Sequence, residues 1–263
     1  MLVLTSENYF SKEANEQYMS VSRFKNYLSC EAMALAIDKG DFTPEQSDAL
    51  LQGSYIDAWN NGELDKFKRE NPALYATQGK NKGELYAKYQ DINDCISTLE
   101  NDALCMEFFS GQKQVIFTAE MFGIPWKICI DSFNPDKNRL VDLKCVKDFE
   151  WQWDSGEKRR VSFVEAWKYH LQLAVYRKVT ALSTGIYYTP YIVAVTKQDI
   201  PDKAIVTFEQ NELNEQLDKI EDYLPRILDV IEGVRQPHRC NKCVYCRSTK
   251  VLTLKDIKHH SSI

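Results

Sequence analysis

Residues 115–122, 125–133 and 139–146 follow one another with almost nothing between them. Each segment is short and rich in β-branched and aromatic residues, and only Gly123 and Asn134-Pro135-Asp136 punctuate them. This predicts three successive strands of an antiparallel meander. The flanks change character. Ser20 or Ser22 can cap a helix carrying Phe24, Tyr27, Leu28 and Leu35, with Gly40 as its stop. Thr43-Pro44-Glu45-Gln46 predicts a second helix, with proline at its first position, running to about Trp59. Residues 84–109, 163–182 and 211–232 read as helical, and 187–196 and 204–208 as strands. The order predicts an α/β fold with a mixed central sheet. We read residues 1–263 as a single domain, with a helical portion at 1–110, sheet and helices at 111–234 and a Cys-rich basic tail at 235–263.

Hydrophobic residues make up 44% and charged residues 27%, ordinary for a globular chain. The formal charge of −5 excludes a basic protein that coats DNA, so any nucleic-acid surface must be local. The opening MLVLTSENYF turns polar after four residues, and no apolar run approaches the ~18 residues a membrane span needs. A cytoplasmic, reducing location is therefore expected. There, clustered cysteines point to metal or redox chemistry.

The meander carries Glu120, Asp131 and Asp142, one per strand and eleven residues apart. That spacing lets neighbouring strands bring three carboxylates together. Asp142 and Lys144 share one face of their strand, leaving Val141, Leu143 and Cys145 to the core face. Converging carboxylates repel unless a cation sits among them. Magnesium, which takes a few carboxylates plus water, suits such a place. It can polarise a phosphodiester and activate a water, while an adjacent lysine orients that water and offsets developing charge.

Cys240-x-x-Cys243-x-x-Cys246 sets three thiols within seven residues. Tetrahedral zinc and an iron–sulfur cluster each require a fourth ligand from elsewhere. Cys145 is a weaker candidate for it, and Cys95, Cys105 and Cys129 read as buried residues. From residue 235 on, seven Lys/Arg (235, 239, 242, 247, 250, 255, 258) oppose one acid, Asp256, and His259-His260 carry no site signal. Lys158-Arg159-Arg160 forms a second basic patch, read as DNA-binding, whereas Trp151, Trp153 and Trp167 read as core tryptophans.

Read together, Glu120, Asp131, Asp142-Leu143-Lys144 and Gln172-Leu173-Ala174-Val175-Tyr176 resemble the PD-(D/E)xK nuclease superfamily. Within it, GQKQVIFTAEMFGIPWKICIDSF (111–133) and VDLK look similar to the branch that holds the RecB nuclease domain, phage lambda exonuclease and the RecE-type exonucleases of phages and prophages. The resemblance extends from Ser20 to about Leu252. It implies a restriction-endonuclease-like core, with Asp131 and Asp142 binding Mg²⁺ (or Mn²⁺) and Lys144 catalytic. Glu120 would be a further ligand, the Leu143 carbonyl another, and Gln172 and Tyr176 would contact DNA or brace the site. Where the family has Gly-x-x-x-His on an early helix, this chain has Gly53-Ser54-Tyr55-Ile56-Asp57. Asp57 is then a metal or water ligand, or a surface helix residue. The segment around Cys30 resembles the first helix of RecB-related nucleases in which one early cysteine joins three late ones around a [4Fe-4S] cluster. Cys30, Cys240, Cys243 and Cys246 are expected to hold that cluster, or Zn²⁺, or nothing. The implied role is 5′ to 3′ resection of double-stranded DNA ends, feeding a single-strand annealing protein in phage-type recombination, with a homo-oligomeric ring as the implied assembly. A related nuclease acting on single strands or as an endonuclease, and a non-enzymatic metal-stabilised DNA-binding module, are the alternatives.

Overall fold

A computed structural model of the chain describes every residue except 155, 255, 256, 258 and 260–263. Lys255, Asp256, Lys258 and His260 of the tail therefore lie outside the described residues. In chain order the helices α1 (Lys12–Gln17), α2 (Val21–Ser29), α3 (Glu31–Lys39), α4 (Asp48–Asn60), α5 (Leu64–Glu70), α6 (Asp91–Glu100) and α7 (Ala103–Phe108) come first. The strands β1 (Gln112–Met121), β2 (Ile124–Asn134) and β3 (Arg139–Val146) follow, then the short β4 (Gln152–Asp154) and β5 (Arg159–Val161). After α8 (Phe163–Ala166) and α9 (Tyr169–Thr184) come β6 (Thr189–Thr196), β7 (Lys203–Thr207), α10 (Gln210–Ile231) and α11 (Val244–Ser248). Two compact units emerge, residues 1–21 with 45–221 and residues 22–44 with 222–263.

The first unit is built on a five-stranded sheet of order β1-β2-β3-β6-β7. β1, β2 and β3 form the expected antiparallel meander, β6 runs parallel to β3, and β7 returns antiparallel. The sheet is thus mixed. The β1–β2 hairpin turns on Phe122 and Gly123, both at positive φ (53° and 78°), the geometry whose twist suits a two-residue hairpin loop. Val141, Leu143, Val193 and Val195 pack on Ile56, Ile92, Leu99 and Cys105 of α4, α6 and α7. The alternate residues Asp142 and Lys144 face the other way, as strand periodicity requires. α9 packs against β1, β2 and β6. The β4–β5 hairpin, a separate two-stranded sheet, has no counterpart in the sequence reading.

Several expected helices are broken by local chemistry. The helix read through Phe24 and Leu35 is two helices, because Cys30 adopts an extended conformation between them (φ −165°, ψ 106°); Gly40, at φ 80°, does end the second. The helix expected from Thr43 begins only at Asp48, because the Ser47 hydroxyl accepts the Leu50 N–H at 3.2 Å and makes the cap. Residues 84–109 are interrupted where Asp102 caps α7. Residues 163–182 are split by Lys168, which sits at φ 53° between α8 and α9.

In the second unit, paired carboxylates hold the helices. Arg23 and Tyr27 both donate to Asp38, and Arg226 grips Glu31 through two nitrogens. Glu31 also accepts the His238 N–H at 2.6 Å.

Candidate active site

The β2–β3 ladder is short. Its pairs are Asn134 with Arg139, Phe133 with Leu140 and Ser132 with Val141. Beyond Ser132 the two strands part, while β3 stays paired with β6 as far as Val146. Asp131 and Asp142 are the first residues inside this fork. The Asp131 carboxylate bridges it, accepting the Leu143 N–H at 2.8 Å. In an extended strand the N–H and C=O of one residue point to the same side, so the Leu143 carbonyl also faces the fork.

Asp142 is 1% exposed. Its Oδ1 accepts from Gln172 of α9 at 2.7 Å, and Gln172 also donates to the Tyr176 hydroxyl at 3.2 Å. Its Oδ2 lies 2.6 Å from the Lys144 ammonium, yet this buried oxygen has no well-aligned hydrogen-bond donor. Lys144 Nζ stands 5.2 Å from the centre of the Tyr169 ring. Tyr169, Gln172 and Tyr176 recur at helical spacing, which aims one face of α9 at the fork.

Asp57 of α4 feels the charges of Asp142 and Lys144. Burial, and then the neighbouring Asp142, push its carboxyl up to about 6, against the pull of Lys144. Burial, Asp142 and Asp57 hold Asp131 well above the usual carboxylate range. Burial alone would lower the Lys144 ammonium, but Asp142 and Asp131 more than offset it, so its proton is held more tightly than in water. The Asp57 and Asp131 carboxyls hold their protons more tightly than free ones, and a divalent cation would displace those protons. The carboxylate donor set, with Asp142 Oδ2 held by Lys144 alone, fits a hard cation such as magnesium. Entry of the ion requires Lys144 to give up Asp142 Oδ2.

Glu120 is not part of this cluster. The hairpin register pairs it with Pro125, six residues along β2 from Asp131, or ~20 Å at strand rise. It is exposed there. The same register sets Gln114 opposite Asp131, and its amide donates to Asp131 Oδ1 at 3.3 Å. Gln114 has φ 50°, a kink in β1 that sequence periodicity does not reveal. The Phe122-Gly123 turn was the available signal, since a two-residue turn dictates every pair above it. Lys113 was also missed. Its ammonium bonds Asn60 Oδ1 at 2.6 Å and Ser132 Oγ at 2.9 Å, and burial lowers it to about 8.

Lys158, Arg159 and Arg160 lie on the β4–β5 hairpin and are exposed, with Arg159 paired to Glu165 at 2.8 Å. Trp151, Trp153 and Trp167 are not core residues: they are 61%, 65% and 58% exposed. In the tail, Arg235 pairs with Asp229. Arg239 donates to the Cys246 carbonyl and to Thr249 Oγ1. These two arginines thus brace the second unit.

Within that second unit, Cys30, Cys240, Cys243 and Cys246 bring their sulfurs to within 4.8 Å of one another. Among the described residues no other group of three or more His, Cys, Asp and Glu ligand atoms gathers so tightly. Cys30 lies 3.5 Å from Cys246 and 3.8 Å from Cys243, and Cys240 lies 4.0 Å from Cys246. Sulfurs around one tetrahedral ion at a metal–sulfur distance of about 2.3 Å stand ~3.8 Å apart. A [4Fe-4S] cube binds each thiolate to a separate iron and spreads them further. The spacing observed is close to that of four thiolates around a single ion. The Lys242 and Cys243 N–H groups pointing at the Cys240 sulfur lower its thiol to about 6, whereas burial raises Cys243 to about 12, despite the Cys246 N–H at 3.3 Å, and raises Cys30 as well. Backbone donors of this kind favour thiolates, the form that binds metal.

An aspartate on one strand, Asp-x-Lys on the next and a glutamine reaching across from a covering helix, on a mixed α/β sheet, define a nuclease of the PD-(D/E)xK type. The chain belongs to the family described as the PDDEXK-like domain of unknown function (DUF3799), whose profile matches residues 20–249. It is similar to the crystal structure of a protein from Eubacterium rectale provisionally named an exonuclease. The two share 39% identity at a TM-score of 0.90, over 96% of each chain. The crystal structure of SSO0001 matches at 13% identity and a TM-score of 0.30, over 80% of this chain and 88% of that one, too remote for any inference. No curated protein matches. No helix among the described residues is long and apolar enough to cross a membrane.

Proposed function

We propose that this chain is a Mg²⁺-dependent exodeoxyribonuclease that resects double-stranded DNA ends from 5′ to 3′. The observation that carries the reading is the placement of Asp131 and the Asp142–Lys144 pair at the β2–β3 fork, with Asp131 accepting the Leu143 N–H at 2.8 Å and Lys144 2.6 Å from Asp142. The name given to the E. rectale neighbour and the likeness to RecE-type exonucleases support it. Asp131, Asp142 and the Leu143 carbonyl would hold the ion, with Asp57 as a further direct or water-mediated ligand. A cation held there would polarise the scissile phosphate and lower the pKa of the attacking water. Lys144, once released from Asp142, orients that water and offsets the charge growing on the phosphorus oxygens. Gln172 keeps Asp142 aimed into the fork, and Tyr176 steadies Gln172. Lys158 and Arg160 track the phosphates. The products suit a single-strand annealing protein in phage-type recombination, and a ring of copies around DNA is the implied assembly. In the second unit we assign the four thiols to one structural Zn²⁺, on the sulfur spacing.

Linear duplex labelled at the 5′ or the 3′ end, covalently closed circular duplex and single strands test the activity. With Mg²⁺, the 5′ label of the linear duplex should be released first as a mononucleotide, and the circle should survive. A nicked circle would make the chain an endonuclease, and faster loss of single strands would make it a single-strand nuclease. No cleavage of any substrate, with Mg²⁺ or Mn²⁺, would reduce it to a metal-stabilised DNA-binding module.

A further inference from the structure

The β4–β5 hairpin stands between the catalytic strand β3 and the helix that carries Gln172. Its two faces differ sharply. Gln152 pairs with Val161, and Asp154 with Arg159. Val161 is 3% exposed and Arg159, itself exposed, reaches Glu165 of α8, so this face is anchored at Val161 and tied to α8. Trp153 pairs with Arg160 on the outer face. Trp151, two residues earlier, comes to the same side by the alternation of an extended chain. Asp154, the carboxylate of the two strands, lies on the inner face and bonds the Gly156 and Glu157 N–H groups of the turn.

Two tryptophans more than 60% exposed, beside an arginine, are unusual for a surface with no partner. Their separation along the chain is ~6.6 Å, close to two base-stacking intervals. The hairpin is also tied to the chemistry. At its base Phe149 packs on Phe163 at 5.0 Å, Phe163 on Tyr169 at 6.3 Å, and Tyr169 lies 5.2 Å from Lys144 Nζ.

We propose that Trp151 and Trp153 form a stacking platform for unpaired bases of the DNA strand, with Arg160 on its phosphates. The occupant follows from the charge and shape of the face: flat aromatic rings that accept any base, with a cation in register. The choice of DNA rests on the nuclease reading.

Binding of a fluorescent oligodeoxythymidine, in buffer without added divalent cation so that nothing is cut, tests this. W151A/W153A should bind on the order of 10- to 100-fold more weakly than the unaltered chain, and W151F/W153F should recover most of that loss. Both variants should melt as the unaltered chain does, since the rings lie on the surface. An abasic oligonucleotide of equal length should bind weakly to all three proteins alike. Wild-type affinity in the alanine variant, equal affinity for abasic and thymidine strands, or no binding by the unaltered chain would each overturn the proposal. Wild-type affinity in an alanine variant that still cuts DNA sinks this inference and leaves the nuclease reading. Tryptophan-dependent binding by a chain that cuts nothing does the reverse.

Discussion

Asp142→Asn is expected to lower Mg²⁺-dependent cleavage by on the order of 10³-fold or more while the melting temperature stays level or rises. The activity loss follows because the amide removes a cation ligand, and the ion supplies several kcal/mol of transition-state stabilisation. The stability result follows from the crowding of charge. Asp57 and Asp131 are both raised, with Asp142 among the causes, so removing that charge relieves them. An asparagine oxygen can still accept the Gln172 hydrogen bond. Lys144→Met should also abolish cleavage but with the opposite stability result. It removes the cation that faces Asp142, Asp131 and Asp57 together and leaves the acids to repel one another without an offset. Added Mg²⁺ should then raise the melting temperature of Lys144→Met more than that of Asp142→Asn. Paired kinetics and thermal melts check both. Retained cleavage in either variant would remove the pair from the chemistry, and a cooperative collapse of Asp142→Asn would make the aspartate structural.

Cys246→Ser and Cys30→Ser are each expected to empty the metal site and to open residues 235–249 to protease. A structural zinc site contributes about 10–16 kcal/mol of binding free energy at neutral pH, which becomes folding free energy. The second unit is small, and small cores have little stability to spare. Cys30 is more than 200 residues from the other three, so only a shared ion explains why its loss should free the far end of the chain. Elemental analysis should find about one zinc per chain in the unaltered protein and far less in both variants. Cys105→Ser, outside the cluster, should keep its zinc. Iron in a brown protein would restore the cluster that the family resemblance implies. Absence of any metal, with protease resistance unchanged in the variants, would leave four plain thiols.

What could be read beforehand depended on how local the governing physics was. β3 covers the residues its pattern predicts, because its whole length pairs with β6 while alternate side chains pack on the helices. Asp142 and Lys144 share a face by periodicity alone. Glu120 failed because equal spacing along a chain does not mean equal height in a hairpin; a two-residue turn sends it to the opposite end. Cys30 breaks its helix through a long-range contact that no local propensity carries. The exposed tryptophans of residues 151–153 were taken for core because their type usually is, and the inward-facing Val161 that orients their hairpin is a tertiary fact. Asp57 is half-buried on α4 and feels Asp142 and Lys144, a nearness that only the fold creates.

The most direct test of the central claim is anomalous scattering from crystals soaked in Mn²⁺ above pH 7, where the Asp57 carboxyl, raised to about 6, has released its proton. A manganese peak is expected between Asp131 and Asp142, within ligand distance of both carboxylates and the Leu143 carbonyl, with Lys144 Nζ withdrawn from Asp142 Oδ2. No density there, or manganese only at the four thiols, would contradict it.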